Sequence, residues 1–145
     1  MYLEDLRALV MGVIEEVGSS NPEDVADHEN LHILEHDIPI EGYRINNIIV
    51  IKKGLSNDDK KWVIAHELGH YFLHGSESTL GRYLNNSLLI KSKIEKEADI
   101  FASELLLADI ENYVIKDLTC EQISRLLRIP EKYIKYKFSH KCKEV

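Results

Sequence analysis

No apolar run in this chain is long enough to cross a membrane. The stretch ALVMGVI at residues 8–14 is followed at once by Glu15 and Glu16, whereas a span needs about 20 apolar residues. The start is acidic, with Glu4 and Asp5, and lacks the basic n-region of a secretory signal. These absences predict a cytoplasmic protein with no membrane partner. Cysteine is scarce: Cys120 and Cys142 form no Cys-x-x-Cys pair. This usage predicts free thiols in a reducing compartment rather than a disulfide framework. Internal repeats and low-complexity segments are absent.

Positive charge is also in short supply. Eighteen Lys and Arg face 25 Asp and Glu, a net charge of −7, which argues against a nucleic-acid-binding protein as a whole. The tail is the exception. From Thr119 onward seven basic residues face three acidic ones, so the segment needs its own explanation.

The 145 residues, 44% of them apolar, suit one compact domain. Leu3, Leu6, Leu9, Val10, Val13, Ile14 and Val17 recur at helical spacing and predict an amphipathic helix ended by Gly18. Asn21-Pro22 is a helix start, with an Asn cap and Pro at the first position. From Leu31 to Ile51, β-branched runs broken by Pro39, Gly42 and Asn46-Asn47 predict a small antiparallel sheet of about three strands. Ser56, with Asp59 three residues on, caps the next helix. After a glycine-containing loop, a helix is expected over Lys91 to Leu107, with helical segments to about Phe138. The order is helices, sheet, helices: an α+β class.

The helix opened by Ser56 carries His66-Glu67-Leu68-Gly69-His70. Residues i and i+4 share a helix face, so His66 and His70 can direct two imidazole nitrogens at one point. Zinc takes such ligands at about 2.0–2.1 Å in tetrahedral geometry. Glu67 flanks the same point, placed to take a proton from water rather than to ligate. Gly69 costs about 1 kcal/mol relative to alanine in a helix, which implies that another segment packs close there. A five-residue HExxH pattern also arises by chance, so its weight depends on a third ligand.

The segment KIEKEADIFASELLL supplies one. Glu95 shares a narrow face with Ala98, Asp99 and Ala102, which could lie close against the histidine helix. Glu97 shares its stripe with Phe101 and Glu104, which suits a solvent edge, and is the alternative ligand. Asp99, one turn after Glu95, could accept a hydrogen bond from the far nitrogen of His66 and fix its tautomer.

HELGHYFLH, followed about 25 residues later by ExxADxFAxxLL, resembles the ImmA/IrrE family of metallopeptidases over roughly Asn47 to Leu107. The resemblance implies a zincin-like fold with His66, His70 and Glu95 as zinc ligands and Glu67 as the base. It also implies a setting in mobile elements or stress responses, with a helix-turn-helix repressor cleaved or inactivated. The family's LLMP ending is LLLAD here, so the proline stop after that helix is lost.

The oxyanion formed in peptide hydrolysis needs a further donor, for which Tyr71, His74 and Tyr83 are candidates. His28, His32 and His36 also recur every fourth residue, but their segment reads as strand, so no second metal stripe is expected. Residues 118–138 resemble a short basic helix-turn-helix. It closes the core, docks a repressor or binds DNA; the acidic remainder disfavours DNA. We therefore expect residues 1–117 to form a metallopeptidase domain, with 118–145 a helical segment packed on it. The function expected is a zinc-dependent endopeptidase acting on a regulatory protein. The alternative is an antirepressor or sensor that holds its partner without cutting it.

Overall fold

The computed structural model describes residues 3–75, 88–110 and 115–138, and the side chains of all of these but 88–91. Six helices and three strands lie among them. In chain order they are α1 (Leu3–Val17), α2 (Pro22–His28), β1 (His32–His36), β2 (Gly42–Ile45), β3 (Ile48–Lys52), α3 (Asn57–Leu73), α4 (Leu88–Leu106), α5 (Cys120–Leu127) and α6 (Glu131–Phe138). The class is α+β, as expected.

Local chemistry sets the boundaries. Gly18 closes α1 at φ +81°, its N–H donating to the Ile14 carbonyl at 2.7 Å. The Asn21 side chain accepts from Glu23 N–H at 3.1 Å, with Pro22 at the first position of α2. Ser56 accepts from Asp59 N–H at 3.1 Å and starts α3. Thr119 and Gln122 form a reciprocal capping box on α5, which satisfies two otherwise orphaned N–H groups.

The sheet corrects the antiparallel expectation. Its order is β1-β3-β2: β2 and β3 form an antiparallel hairpin through Asn46-Asn47, whereas β1 runs parallel to β3. Central β3 buries Ile49, Val50 and Ile51 in succession, the mark of a strand covered on both faces. Edge strand β1 is mostly exposed.

The main core joins α1, α2 and β3 to α3 and α4, through Leu6, Val10, Val25, Ile51, Leu68 and Phe101. A smaller cluster of Leu107, Ile115, Ile123, Ile134 and Phe138 lies under α5 and α6. Glu104 of α4, 5% exposed, is held between Arg7 of α1 and Lys137 of α6, each at 2.8 Å. A buried carboxylate needs such partners. This pairing fixes α1 and α6 to α4. Cys120 is disulfide-bonded, which corrects the expectation of a free thiol there. None of the described helices is long and apolar enough to cross a membrane.

Candidate metal centre

The centre is built on two helices in backbone contact. Trp62, Ala65, Leu68 and Gly69 of α3 are buried, and Phe72 stacks on Phe101 of α4 with ring centroids 5.5 Å apart. At Gly69 the approach is closest. A Cβ there would lie 2.9 Å from both Cα and O of Ala98 and 3.1 Å from Phe101 Cβ. Only glycine lets α4 come this near, and that proximity brings its carboxylates to the two histidines.

His66 and His70 turn their Nε2 atoms toward each other, 3.2 Å apart. Glu95 meets both, with Oε2 2.8 Å from His66 Nε2 and Oε1 3.1 Å from His70 Nε2. Donor atoms around a tetrahedral ion with bonds of 2.0–2.1 Å lie about 3.3 Å apart, so this triangle is only slightly tighter than a zinc-type site requires. Glu67 also lies near: one ligand atom each from His66, Glu67 and His70 falls within 4.8 Å of the others. Of the two carboxylates Glu95 is the better third donor, because its oxygens already contact both imidazoles. Two imidazoles and one carboxylate form a donor set that fits a divalent transition ion.

Behind His66, Asp99 Oδ1 accepts from Nδ1 at 2.8 Å. Asp99 is held in turn by two α6 residues, Lys132 Nζ at 3.3 Å and the Tyr133 hydroxyl at 3.4 Å. The ring of Tyr133 stacks on Trp62 at 4.0 Å between centroids and 12° between planes.

Charge is divided unequally over the cluster. Burial disfavours a charged His66, but hydrogen bonds to Asp99 and Glu95 overcome it and push this imidazole up to about 10. Burial wins at His70, which is held below its ordinary value despite Glu95. Burial would raise Glu95, yet the hydrogen bonds from His66 and His70 hold its carboxyl well below the usual carboxylate range. The same balance, set by His66 and Lys132, lowers Asp99. Burial, and then the Asp99 charge, push the Tyr133 phenol above its ordinary range, so it presents a neutral O–H donor.

A cleft of about 410 Å³ opens beside this cluster, lined by Gly42 of β2, Trp62, His66 and Glu67 of α3, Glu95 and Tyr133 among others. The model of the IrrE N-terminal-like domain, Peptidase_M78, matches residues 25–138. The chain belongs to this M78 peptidase family. Metallopeptidase ImmA of Bacillus subtilis (strain 168) is 33% identical over 145 aligned residues, covering 92% of this chain and 84% of that protein. Uncharacterized immunity region protein 2 of Bacillus phage phi105 is 30% identical over 133 residues, covering 86% of this chain and 84% of that protein. The M78 match contains the whole cluster, from His66 to Tyr133.

Other residues picked out in the sequence have different surroundings. Glu97 does not contact the imidazole pair; it lies 3.4 Å from His74 Nε2. Its stripe is no solvent edge, since Phe101 is fully buried and Glu104 is 5% exposed: Phe72 of α3 covers Phe101, and Arg7 of α1 and Lys137 of α6 close over Glu104. His74 sits behind His70, the two Nδ1 atoms 3.0 Å apart, on the far side of the ring from Glu95. Tyr71 hydrogen-bonds Glu29, and its ring lies 5.5 Å from the Arg44 guanidinium. It is not among the cleft-lining residues. Tyr83 lies outside the described residues. His28 ends α2, whereas His32 and His36 lie at the two ends of β1, so no shared helical face unites them. Lys132 and Tyr133 were missed by the sequence reading. They stand 33 and 34 residues from Asp99, and a Lys-Tyr pair on an amphipathic helix carries no signature of its own.

Proposed function

We propose that this M78 peptidase is a zinc-dependent endopeptidase with His66, His70 and Glu95 as its metal ligands and Glu67 as its general base. The observation that carries the reading is the convergence of two imidazole nitrogens, 3.2 Å apart, on one carboxylate. Zinc suits a set of two imidazoles and one carboxylate with a vertex open to solvent. Bound there, it supplies Lewis acidity, polarising the scissile carbonyl and lowering the pKa of a water toward neutrality.

The chain's own residues do the rest. Glu67 lines the cleft next to His66 and is 1% exposed. In this reading its carboxylate takes the proton from the attacking water and passes it to the leaving amine. Asp99 keeps the His66 Nδ1 proton in place, so that Nε2 is the coordinating nitrogen. Lys132 and Tyr133 immobilise Asp99. The domain division we propose is 1–117 for the catalytic elements and 118–145 for a helical segment, whose described helix α6 packs on α4 and lends Lys132 and Tyr133 to the cleft wall.

The substrate we propose is a regulatory protein in the cytoplasm, a helix-turn-helix repressor of a phage or mobile element. The printed names of the two relatives, a metallopeptidase and a phage immunity-region protein, support that setting. Direct DNA binding by the basic tail is disfavoured, because Lys132 and Lys137 are already paired with Asp99 and Glu104.

The test is incubation of the purified chain with a candidate repressor. Cleavage is expected with zinc, none with a chelator, and a loss of about 10²–10⁴-fold in Glu67→Gln, the usual contribution of a general base. Full cleavage by Glu67→Gln overturns the hydrolytic reading. Tight, chelator-sensitive binding without cleavage favours a non-cutting antirepressor.

A further inference from the structure

The cleft extends past the metal centre. Trp62 and Val63 lie one turn before His66 and Glu67 on α3, about 6 Å along the helix axis, and all four line the cleft. Tyr133 of α6 stacks on Trp62 and extends that apolar surface. Another wall is the segment that leads into β2, with Ile40 and Glu41. Two contacts seat this segment. Gly42 presses against α3, where a Cβ would fall 2.5 Å from Val63 Cγ1, and the Glu41 carbonyl accepts from Lys52 N–H at 2.8 Å. Of the five large apolar side chains exposed among the described residues, Ile40, 38% exposed, alone lines the cleft.

We propose that Ile40, Trp62, Val63 and Tyr133 form a specificity subsite that takes a bulky apolar side chain, carried by a residue of the peptide substrate directly flanking the scissile bond. The subsite rests on the reading of this chain as a metallopeptidase with its ion at His66, His70 and Glu95. Distance selects the residue. Consecutive Cα atoms are about 3.8 Å apart, so a wall one helical turn from the centre meets the neighbouring side chain and not one several residues away. Chemistry selects the side chain. Ile40 and Val63 offer no hydrogen bond, and the Tyr133 hydroxyl is engaged with Asp99. An acidic side chain would also meet Glu41, Glu67 and Glu95, which line the same cleft. Glu41 would draw a basic side chain, but that cation would compete with the Lys132 ammonium, already 4.8 Å from the centre of the Tyr133 ring. An apolar side chain meets none of these penalties and gains by leaving water.

The test measures binding and needs no cleavable substrate. The zinc-loaded chain is titrated with hydroxamates, small metal-binding probes, in two series. Each series carries a glycyl, leucyl, phenylalanyl, aspartyl or lysyl side chain, on one or the other side of the zinc-binding group. Trp62, the single tryptophan of the chain, reports occupancy by its fluorescence. In one series the leucyl and phenylalanyl probes are expected to bind about 10–100-fold more tightly than the glycyl probe, the gain from burying one apolar side chain. The aspartyl probe is expected to bind more weakly than the glycyl one. Ile40→Asp is expected to cut the leucyl-to-glycyl ratio by about threefold to tenfold, its share of that apolar contact, and Ile40→Leu to preserve the ratio. Because Ile40 is exposed, its substitution spares the core, and a general loss of folded protein would not move a ratio. Equal affinities for the glycyl and leucyl probes in both series, or tightest binding of the lysyl probe, overturns the subsite while the metal centre stands. Failure of every probe to bind, the glycyl one included, overturns the metal centre and the subsite with it.

Discussion

Gly69 of α3 and Ala98 of α4 bring the two helix backbones together: a methyl group on Gly69 would sit 2.9 Å from the Ala98 Cα. The neighbouring atoms are backbone and a Cβ, so nothing flexible can yield. Gly69→Ala would gain about 1 kcal/mol in helix propensity. Against that, overpacking costs about 1–3 kcal/mol and sometimes more. We expect the clash to prevail by about 2 kcal/mol, seen as a fall in melting temperature of about 4–8 °C for a domain of this size. Since the same contact brings Glu95 to His66, the variant should also bind zinc more weakly. An unchanged melting temperature would mean that the interhelical gap is wider than described.

That contact shows what can be read without coordinates. The i, i+4 histidines, the adjacent Glu67 and the costly Gly69 are local features, and helical periodicity alone places them on α3. The caps at Asn21, Ser56 and Thr119 are legible for the same reason. The narrow face of Ala98, Asp99 and Ala102 points to Glu95 over Glu97, but how far α4 rolls on α3, and so how closely Glu95 approaches both histidines, takes the packed structure to show. The stripe of Glu97, Phe101 and Glu104 looks solvent-facing until Phe72 of α3 packs on Phe101 and Arg7 and Lys137, 97 and 33 residues away from Glu104, close over that carboxylate. The parallel pairing of β1 with β3 is equally hidden, because strand composition does not name a strand's neighbour. Tyr133 joins the cleft only through the docking of α6.

Zinc should stabilise the fold, and Glu95 should be needed for it. A ligand present at about 1,000 times its dissociation constant adds about 4 kcal/mol, or about 8–16 °C in melting temperature here. Thermal unfolding with zinc and with chelator measures that rise. Glu95→Gln should abolish it, whereas Glu97→Gln should keep nearly all of it. A rise that survives in Glu95→Gln but vanishes in Glu67→Gln would make Glu67 the third ligand.

The charge pattern predicts how the zinc-free chain responds to pH. His66 is raised from 6.5 to about 10 in the fold, so its contribution is complete below pH 6.5 and is lost as pH climbs to about 10. His70 is lowered, so its burial destabilises as pH falls below 6.5, when the unfolded chain takes up a proton that the folded site resists. Together the pair favours a stability maximum near pH 6.5 in the presence of chelator. Zinc must displace the His66 proton, so its apparent affinity should rise about tenfold per pH unit above neutrality. Melting curves in chelator and zinc titrations across pH 6–9 check both trends. A pH-independent affinity would mean that His66 holds no proton to displace.

The last prediction concerns α6, whose Tyr133 both stacks on Trp62 and reaches Asp99. The two roles separate by substitution. Tyr133→Phe keeps the stack and loses only the hydroxyl, so stability should fall by about 1 kcal/mol, or about 2–4 °C. Zinc affinity should drop modestly, because Asp99 keeps Lys132 but loses one of its two α6 restraints. Tyr133→Ala removes the aromatic wall as well and should cost about 3–5 kcal/mol. In that variant, amide hydrogen exchange should quicken in α6 and also in α3 around Trp62 and His66, since the two surfaces are buried together. Exchange that quickened in α6 alone would show the C-terminal hairpin to be an independent appendage, and its contact with Asp99 would then be incidental to the centre.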